Sequence, residues 1–314
     1  METRIRDLIV RECTKLITRH HQKVQGKRNQ DRYQKRTGNL SIPPVSYEPS
    51  HWRVHPHFNP FHVRARASSM AHSIAGKVRD SAYAPNPALL LEIPKPAGGS
   101  RGISIFTIPD AAVSYYLFRN LGGRNHHFFS SYAYAYRGDR SVHHAVEHLF
   151  RYVKDCERTY VLNYDFSKLF DSIGHQYIRD VLTKYFRLST KEFNALQGFL
   201  TYRRAFGVQQ YSKQEFVENQ RGVPQGSSIS LFLANVACLE LDLEIEREGA
   251  VFARYADDTI ILCNTYDMAH RCSRRMLSHG KRSHTEINFE KSEGISLLTR
   301  ELKAEMRATT YFEF

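Results

Sequence analysis

The thirteen residues Val251-Phe252-Ala253-Arg254-Tyr255-Ala256-Asp257-Asp258-Thr259-Ile260-Ile261-Leu262-Cys263 restrict the possible folds more than any other stretch. Two segments rich in β-branched and aromatic residues flank a turn of small and acidic ones, the pattern of a β-hairpin. Its tip carries two adjacent carboxylates, Asp257 and Asp258. Aspartate is common in solvated turns. Side by side, however, two carboxylates repel, and they add little to a hairpin unless a cation lies between them and a third acid. Asp165 is the candidate third acid: it ends the strand-like run Thr159–Tyr164, 92 residues before Asp257 (257 − 165). A strand–helix–hairpin–helix–strand order lets that strand join the hairpin in one antiparallel sheet, as in split βαβ folds. The three acids then share one edge.

At 314 residues the chain can bury a full core. Its 41% apolar and 25% charged residues are those of a globular protein. Forty-five Lys and Arg against 32 Asp and Glu leave a formal net charge of +13. Such an excess points to a polyanionic partner, most often nucleic acid, with a merely basic surface as the plain alternative. No apolar run reaches about 18 residues and no secretory pattern opens the chain, so no membrane partner is expected. The five cysteines form no C-x-x-C pair and read as reduced thiols of a cytoplasmic protein.

Along the chain, Ile5, Leu8, Ile9, Leu16 and Ile17 predict a helix over residues 1–24. Residues 1–36 hold 11 Lys or Arg against four acids, a basic arm that is either a solvated face or a nucleic-acid contact. Five of the 11 prolines fall between Thr37 and Pro60, where regular structure should fail. Four histidines there (51, 55, 57, 62) lack a cysteine or acid at zinc-ligand spacing. Val63, Ala67, Met70, Ile74 and Val78 then mark the core face of a helix. Residues 89–108 read as strand, glycine turn, strand, with Lys95 and Arg101 on opposite sides of the turn. A basic hairpin of this kind can hold a phosphate chain.

Asp110 is expected to cap a helix that stops at Gly122-Gly123. Residues 141–153 predict an amphipathic helix, and Ser189 with Glu192 a capping box. Arg221-Gly222-Val223-Pro224-Gln225-Gly226 forms a rigid turn before a helix that buries Ile229, Phe232, Leu233 and Val236. A last helix runs from Thr265 to Leu277 and closes near Gly280, and a short strand at 287–289 leads to Lys291. Clustered carboxylates with few other ligands suit Mg²⁺. Two such ions can serve an in-line displacement at a nucleotide phosphate.

Five of these elements together resemble the bacterial reverse transcriptases related to group II intron and retron enzymes, and they arrive in that family's order. Ile93-Pro94-Lys95…Gly99-Ser100-Arg101 resembles the fingers motif that holds the incoming triphosphate. Tyr136-Arg137-Gly138-Asp139-Arg140-Ser141 resembles the F-R-x-G-R-S element near the template. Asp165-Phe166-Ser167-Lys168-Leu169-Phe170-Asp171 resembles the first metal motif, Arg221–Asn235 the P-Q-G motif, and Tyr255-Ala256-Asp257-Asp258 the Y-x-D-D box. The resemblance covers roughly Leu89 to Phe314 and is closest to the unassigned or defence-associated groups. It implies an α+β right-hand polymerase with fingers and a split-βαβ palm. The domains expected are a basic N-terminal extension over 1–88, fingers over 89–158, and a palm over 159–314 with a fingers insertion near 187–220.

The roles it implies follow position by position. Asp165 and Asp257 bind two Mg²⁺ ions, or Mn²⁺, with the Phe166 carbonyl as a further ligand and Asp258 in support. Lys95 and Arg101 hold the triphosphate, and Gln225 touches the incoming nucleotide. Phe170 stands at the sugar gate, where an aromatic ring leaves no room for a 2′-hydroxyl; as a plain residue it is a core phenylalanine. Arg137 and Arg140 approach the template, although Asp139 stands where Pro or Gly is usual. Lys291 is placed to protonate pyrophosphate. The family's Ser-Pro after P-Q-G is Ser230-Leu231 here.

Tyr311-Phe312-Glu313-Phe314 resembles the start of the primer grip, so no thumb is expected, a protein partner or oligomer taking its place. The activity implied is RNA-directed DNA synthesis from dNTPs on an RNA template, a dedicated non-coding RNA among the candidates, in a setting such as anti-phage defence. Template-independent or protein-primed DNA synthesis is the alternative of the same chemistry. A non-catalytic RNA-binding scaffold is the alternative of a different class.

Overall fold

The computed structural model of the chain describes residues 1–38, 48–95, 98–288 and 292–299. Lys291 and the primer-grip-like segment 311–314 lie outside these residues. The chain divides into two compact units, the first made of Met1–Arg119, Ser189–Gln220 and Pro224–Ile229, the second of Asn120–Leu188, Arg221–Val223 and Ser230–Phe314.

Helix α1 (Glu2–Arg36) opens the first unit and packs on α2 (Pro60–Ala65) and α3 (Ala67–Arg79). Ile5, Ile9, Cys13 and Ile17 form its buried stripe, each isoleucine contributing roughly 1.5–3 kcal/mol. It runs twelve residues beyond the expected end at 24 (36 − 24). None of residues 21–36 is buried, so there the helix rests on propensity and a basic last turn. The face expected between Val63 and Val78 is split at Arg66, where α2 stops and α3 restarts; Val63, Ala67, Ala71 and Ile74 stay buried across the break.

Strands β1 (Ala88–Pro94) and β2 (Ser100–Ile105) pair antiparallel, with Ile93 opposite Arg101. In α4 (Ile108–Asn125), Asp110 lies in the first turn rather than at the cap. Its buried carboxylate accepts hydrogen bonds from Thr107 Oγ1 (2.6 Å), Tyr83 Oη (2.8 Å), and the backbone N–H and side chain of Asn86 (3.0 and 2.9 Å). Burial nevertheless raises its pKa. The helix continues through Gly122-Gly123, because both glycines keep helical φ and face open space.

Helix α5 (Val142–Asp155) is capped by Ser141 and leads to β3 (Arg158–Tyr164), β4 (Phe166–Ser167), α6 (Leu169–Ser172) and α7 (His175–Tyr185). The chain then returns to the first unit. Helix α8 (Thr190–Leu200) begins with the expected capping box. Strand β5 (Arg203–Phe206) runs parallel to β1, and after α9 (Gly207–Ser212) strand β6 (Val217–Glu218) pairs with β5. The first sheet thus has the order β2-β1-β5-β6, over a core that includes Phe58, Leu89, Ala205 and Tyr211.

Helix α10 (Ser228–Arg247) buries Ile229, Phe232, Leu233 and Val236 as expected. Strands β7 (Val251–Tyr255) and β8 (Asp258–Cys263) are the hairpin; α11 (Tyr266–Ser283), β9 (Glu286–Ile287) and β10 (Gly294–Thr299) complete the described chain. The second sheet is antiparallel throughout, in the order β10-β3-β8-β7. Leu162, Ile261 and Phe252 stand opposite one another on adjacent strands, and all three are fully buried. Helix α11 covers β3 and β8, while α5 packs on β7.

Helix α11 does not end near Gly280. The chain doubles back beside that glycine, with the Thr285 N–H donating to the Gly280 carbonyl at 2.9 Å. A Cβ at 280 would meet the Thr285 oxygen at 2.9 Å. The glycine serves this close approach, and the helix ends at His284 in the left-handed region (φ 60°).

One turn earlier, His279 is fully buried among the rings of Phe166 and Tyr177, both at 5.8 Å, and neither of its nitrogens has a hydrogen-bond partner among the described residues. Burial, helped by the charges of Arg282 and Arg254, lowers its pKa to about 3. Between pH 6.5 and 3 the unfolded chain takes up this proton and the folded one does not. The cost is absent above pH 6.5 and grows by up to about 1.4 kcal/mol per unit as pH falls. His279→Leu should therefore spare the protein about 2 kcal/mol of the stability that the parent loses between pH 7 and pH 5. Urea denaturation at both pH values measures this, and equal losses would show that His279 is protonated in the folded state.

Candidate active site

Strand β3 ends at Tyr164, which faces Thr259 of β8. Asp165 follows the β3 member of that last pair and Asp258 precedes its β8 member, and Asp258 closes the β7–β8 turn opposite Tyr255. Asp165 and Asp257 are half-buried and Asp258 is exposed. Asp165 is fixed along its whole length. Its N–H donates to Ser292 Oγ (3.3 Å), its carbonyl accepts the Asn288 N–H (2.8 Å), and its Oδ2 accepts from Asn288 Nδ2 (3.3 Å). Sequence reasoning placed Asn288 inside a short strand at 287–289 and gave it no role; β9 ends at Ile287, one residue before it.

The turn itself is Ala256-Asp257, and Ala256 has φ +62°. One positive φ at the first central position is the sign of a type II′ turn, which favours glycine there. An alanine so placed is strained by roughly 1–2 kcal/mol and persists where its surroundings leave no alternative. Arg254 contacts this residue. Its Nε and Nη2 donate to the two oxygens of Asp242 on α10, each at 2.7 Å, while Nη1 donates to Asn235 Oδ1 (3.2 Å) and to the Ala256 carbonyl (3.0 Å). The pair is out of water, with side chains 1% and 0% exposed. Asn235 in turn donates to the Ala135 carbonyl (3.0 Å). The Arg254 backbone bonds Tyr132 and Tyr134 on its outer side, at 3.0 and 2.9 Å. The next residue of that segment, Tyr136, has φ +63°; burial, and after it the negative charge of Asp257, raise its phenol's pKa.

The side-chain donors offered here are carboxylates. Hard oxygens of this kind fit Mg²⁺ or Mn²⁺, which take one or two protein carboxylates and fill their shells with water and substrate phosphates. Among the described residues no three His, Cys, Asp or Glu side chains, Asp165, Asp257 and Asp258 included, form a group that could hold a metal ion, so the expected three-acid cluster reduces to one or two carboxylates.

The other expected site residues fall into separate groups. Lys95 and Arg101 are exposed on the β1–β2 hairpin of the first unit. Arg101 pairs with Ile93 within the hairpin, and Lys95 follows the end of β1 at Pro94, its N–H donating to the Gly99 carbonyl at 3.0 Å. Gln225 belongs to the same unit: its carbonyl accepts the Ser104 N–H of β2 at 2.7 Å, and Gly226 (φ +107°) lies so close to Ser104 that a Cβ would sit 2.8 Å from its oxygen. Arg137 and Arg140 belong to the second unit, and each has a partner in its own loop. Arg137 donates to Ser130 O (2.9 Å) and to both oxygens of Asp139 (3.2 and 3.1 Å). Arg140 donates to the Ser131 carbonyl and lies 5.4 Å from the Tyr134 ring centre. The unusual Asp139 is thus the partner of Arg137, whose hydrogen bond lowers its pKa.

Residues 93–311 match the family described as reverse transcriptase (RNA-dependent DNA polymerase). The chain belongs to that family. It is 26% identical to protein YkfC of Escherichia coli over 183 residues, 57% of this chain and 46% of that protein. It is 30% identical over 172 residues to an uncharacterised 91 kDa protein in the cob intron of Schizosaccharomyces pombe, 53% of this chain and 20% of that protein. The matched part is thus less than half of either relative. Among solved structures it is similar to telomerase from Candida albicans in complex with a fragment of telomeric RNA (TM-score 0.52, 9% identity, 80% of this chain and 47% of that one). That likeness is one of fold. No described helix is long and apolar enough to cross a membrane.

Within this reverse transcriptase fold, the half-buried Phe170 of α6 is held from behind by the loop Arg221–Val223. Val223 N–H donates to the Phe170 carbonyl (2.6 Å) and Gly222 N–H to the Ile173 carbonyl (2.8 Å). Arg221 donates to the Ser172 and His284 carbonyls, both at 2.6 Å. His175 Nε2 donates to the Gly222 carbonyl at 2.8 Å. At Gly222 (φ +76°) a Cβ would meet the Phe170 oxygen at 2.5 Å. Gly222→Ala should accordingly destabilise the protein by roughly 2–4 kcal/mol, combining overpacking with left-handed strain. A denaturation midpoint equal to the parent's would mean that the loop does not bear on α6.

Proposed function

We propose that the protein is an RNA-directed DNA polymerase that joins dNTPs to a 3′-hydroxyl by two-metal phosphoryl transfer. The observation that carries this reading is the β3–β8 register, which brings Asp165 to the edge where the Asp257-Asp258 turn projects. Nothing in the folding of a sheet calls for acids at that edge; a cation site does.

In this reading Asp165 and Asp257 hold the ions, with the Phe166 carbonyl as a further ligand and Asp258 in support. Divalent ions held by these residues would supply the charge that activates a primer hydroxyl and stabilises a pyrophosphate leaving group. Lys95 and Arg101 grip the triphosphate, the lysine as a point charge and the arginine by its fork. Gln225, fixed to β2 by its own backbone, touches the incoming nucleotide. The ring of Phe170 fills the space of a 2′-hydroxyl. Arg137 and Arg140 present a loop to the template, and Lys291 is assigned to pyrophosphate protonation. The partners are an RNA template, dNTPs and the DNA product.

The direct test is incorporation of labelled dNTPs by purified protein with and without RNA template. Incorporation that requires the template supports the reading, and equal incorporation without it would favour untemplated or protein-primed synthesis. Asp257→Asn should abolish incorporation while RNA binding, measured by anisotropy, stays near the parent's. RNA binding with no incorporation by the parent protein under any metal condition would leave only the scaffold reading.

The gate has its own test. Phe170→Ala should raise ribonucleotide use relative to deoxynucleotide use by at least about tenfold, a difference of about 1.4 kcal/mol between the two transition states. Unchanged sugar selectivity in a variant that still polymerises would reduce Phe170 to a packing role.

A further inference from the structure

Arg254 is the largest fully buried side chain among the described residues, and it is a charged one. Stability alone explains it poorly, since a well-packed apolar pair in place of a buried ion pair is often neutral or stabilising. Its third contact gives it another task. Two guanidinium nitrogens are taken by Asp242, and the remaining one reaches the carbonyl of Ala256, the strained residue immediately before Asp257.

We propose that Arg254 is a positioning residue for the acidic turn: through the Ala256 carbonyl it keeps Ala256 left-handed and thereby aims the Asp257 carboxylate. The proposal rests on the metal role given above to Asp165 and Asp257. The chemistry of the pair suits the task. A guanidinium alone beneath two carboxylates would compete with the cations they are to bind. Asp242 cancels that charge while its fork fixes the guanidinium plane, so the turn receives a rigid donor with little net field. Asn235 shares the same Nη1 and is itself tied to the Ala135 carbonyl. The donor's direction is therefore set from α10 on one side and from the 132–135 segment on the other.

The test separates positioning from stability by using the position where the strain sits. Glycine adopts φ +62° without strain and is the favoured first residue of a II′ turn, so Ala256→Gly should make the clamp dispensable. The variants are Arg254→Lys, which keeps the charge and loses the fork, and the apolar double replacement Arg254→Met with Asp242→Leu. Each is made with and without Ala256→Gly. The readout is Mn²⁺ affinity by electron paramagnetic resonance, beside the thermal midpoint and nucleotide incorporation.

Both clamp variants should bind Mn²⁺ at least about tenfold more weakly, equivalent to about 1.4 kcal/mol, and Ala256→Gly should restore most of the loss. Ala256→Gly alone should leave the affinity near the parent's. If Arg254→Lys does not fold, the apolar double replacement decides. Parent-like Mn²⁺ affinity in a folded clamp variant overturns the proposal, as does a loss that Ala256→Gly fails to recover. Asp165→Asn and Asp257→Asn serve as controls. If they too bind Mn²⁺ like the parent, the metal reading fails and the proposal with it; if they lose binding while the clamp variants keep it, only the clamp fails.

Discussion

A buried ion pair ties the hairpin that carries Asp257 and Asp258 to the elements around it. Arg254 and Asp242 are withdrawn from water, which is costly for each unless geometry and further hydrogen bonds compensate. Here they do: every nitrogen of the guanidinium has an acceptor, supplied by α10 or by the turn. Removing one partner would leave an uncompensated charge, at a cost of roughly 3–5 kcal/mol. The hairpin, α10 and the 132–135 segment are therefore held as one object. The hydrogen bond from Arg254 to the Ala256 carbonyl links this pair to the turn that carries Asp257.

Much of this arrangement was legible in the sequence because period and turn chemistry agreed with the tertiary structure. The β7–β8 hairpin, the α8 capping box, the β1–β2 hairpin and the inward face of α10 are local patterns whose meaning does not change on packing. The errors came where a glycine or an acid was read by its commonest local use. Asp110 is a buried hub for Tyr83 and Asn86, not a cap. Gly280 admits the backbone of Thr285 and ends nothing. Strand β10 was missed altogether, although Gly294 (φ +69°) opens it; its pairing with β3 identifies it.

The site divides along the same line. Asp165, Asp257 and Asp258 could be singled out as candidates because a carboxylate at a strand end or turn is visible in one dimension. What supports them could not. Arg254 looked like one more basic residue in a chain with an excess of them. Asn288 and Ser292 reach Asp165 across more than 120 residues of sequence, at separations of 123 and 127. The loop behind Phe170 was seen as a rigid turn, but its contact with α6 depends on a backbone approach that no spacing rule encodes.

The order of strands in the second sheet carries a consequence in time. Tyr160 pairs with Cys263, 103 positions later (263 − 160), and with Leu297, 137 positions later (297 − 160). At a synthesis rate of roughly 5–20 residues per second, β3 leaves the ribosome about 5–20 seconds before β8 can join it. Until then its backbone donors and acceptors, and the apolar row that includes Leu162, have no native partner. Sheets closed by such distant segments also fold slowly, since loop closure precedes the contacts that reward it. Strand β3, which runs up to Asp165, therefore waits longest for its sheet partners on a nascent chain.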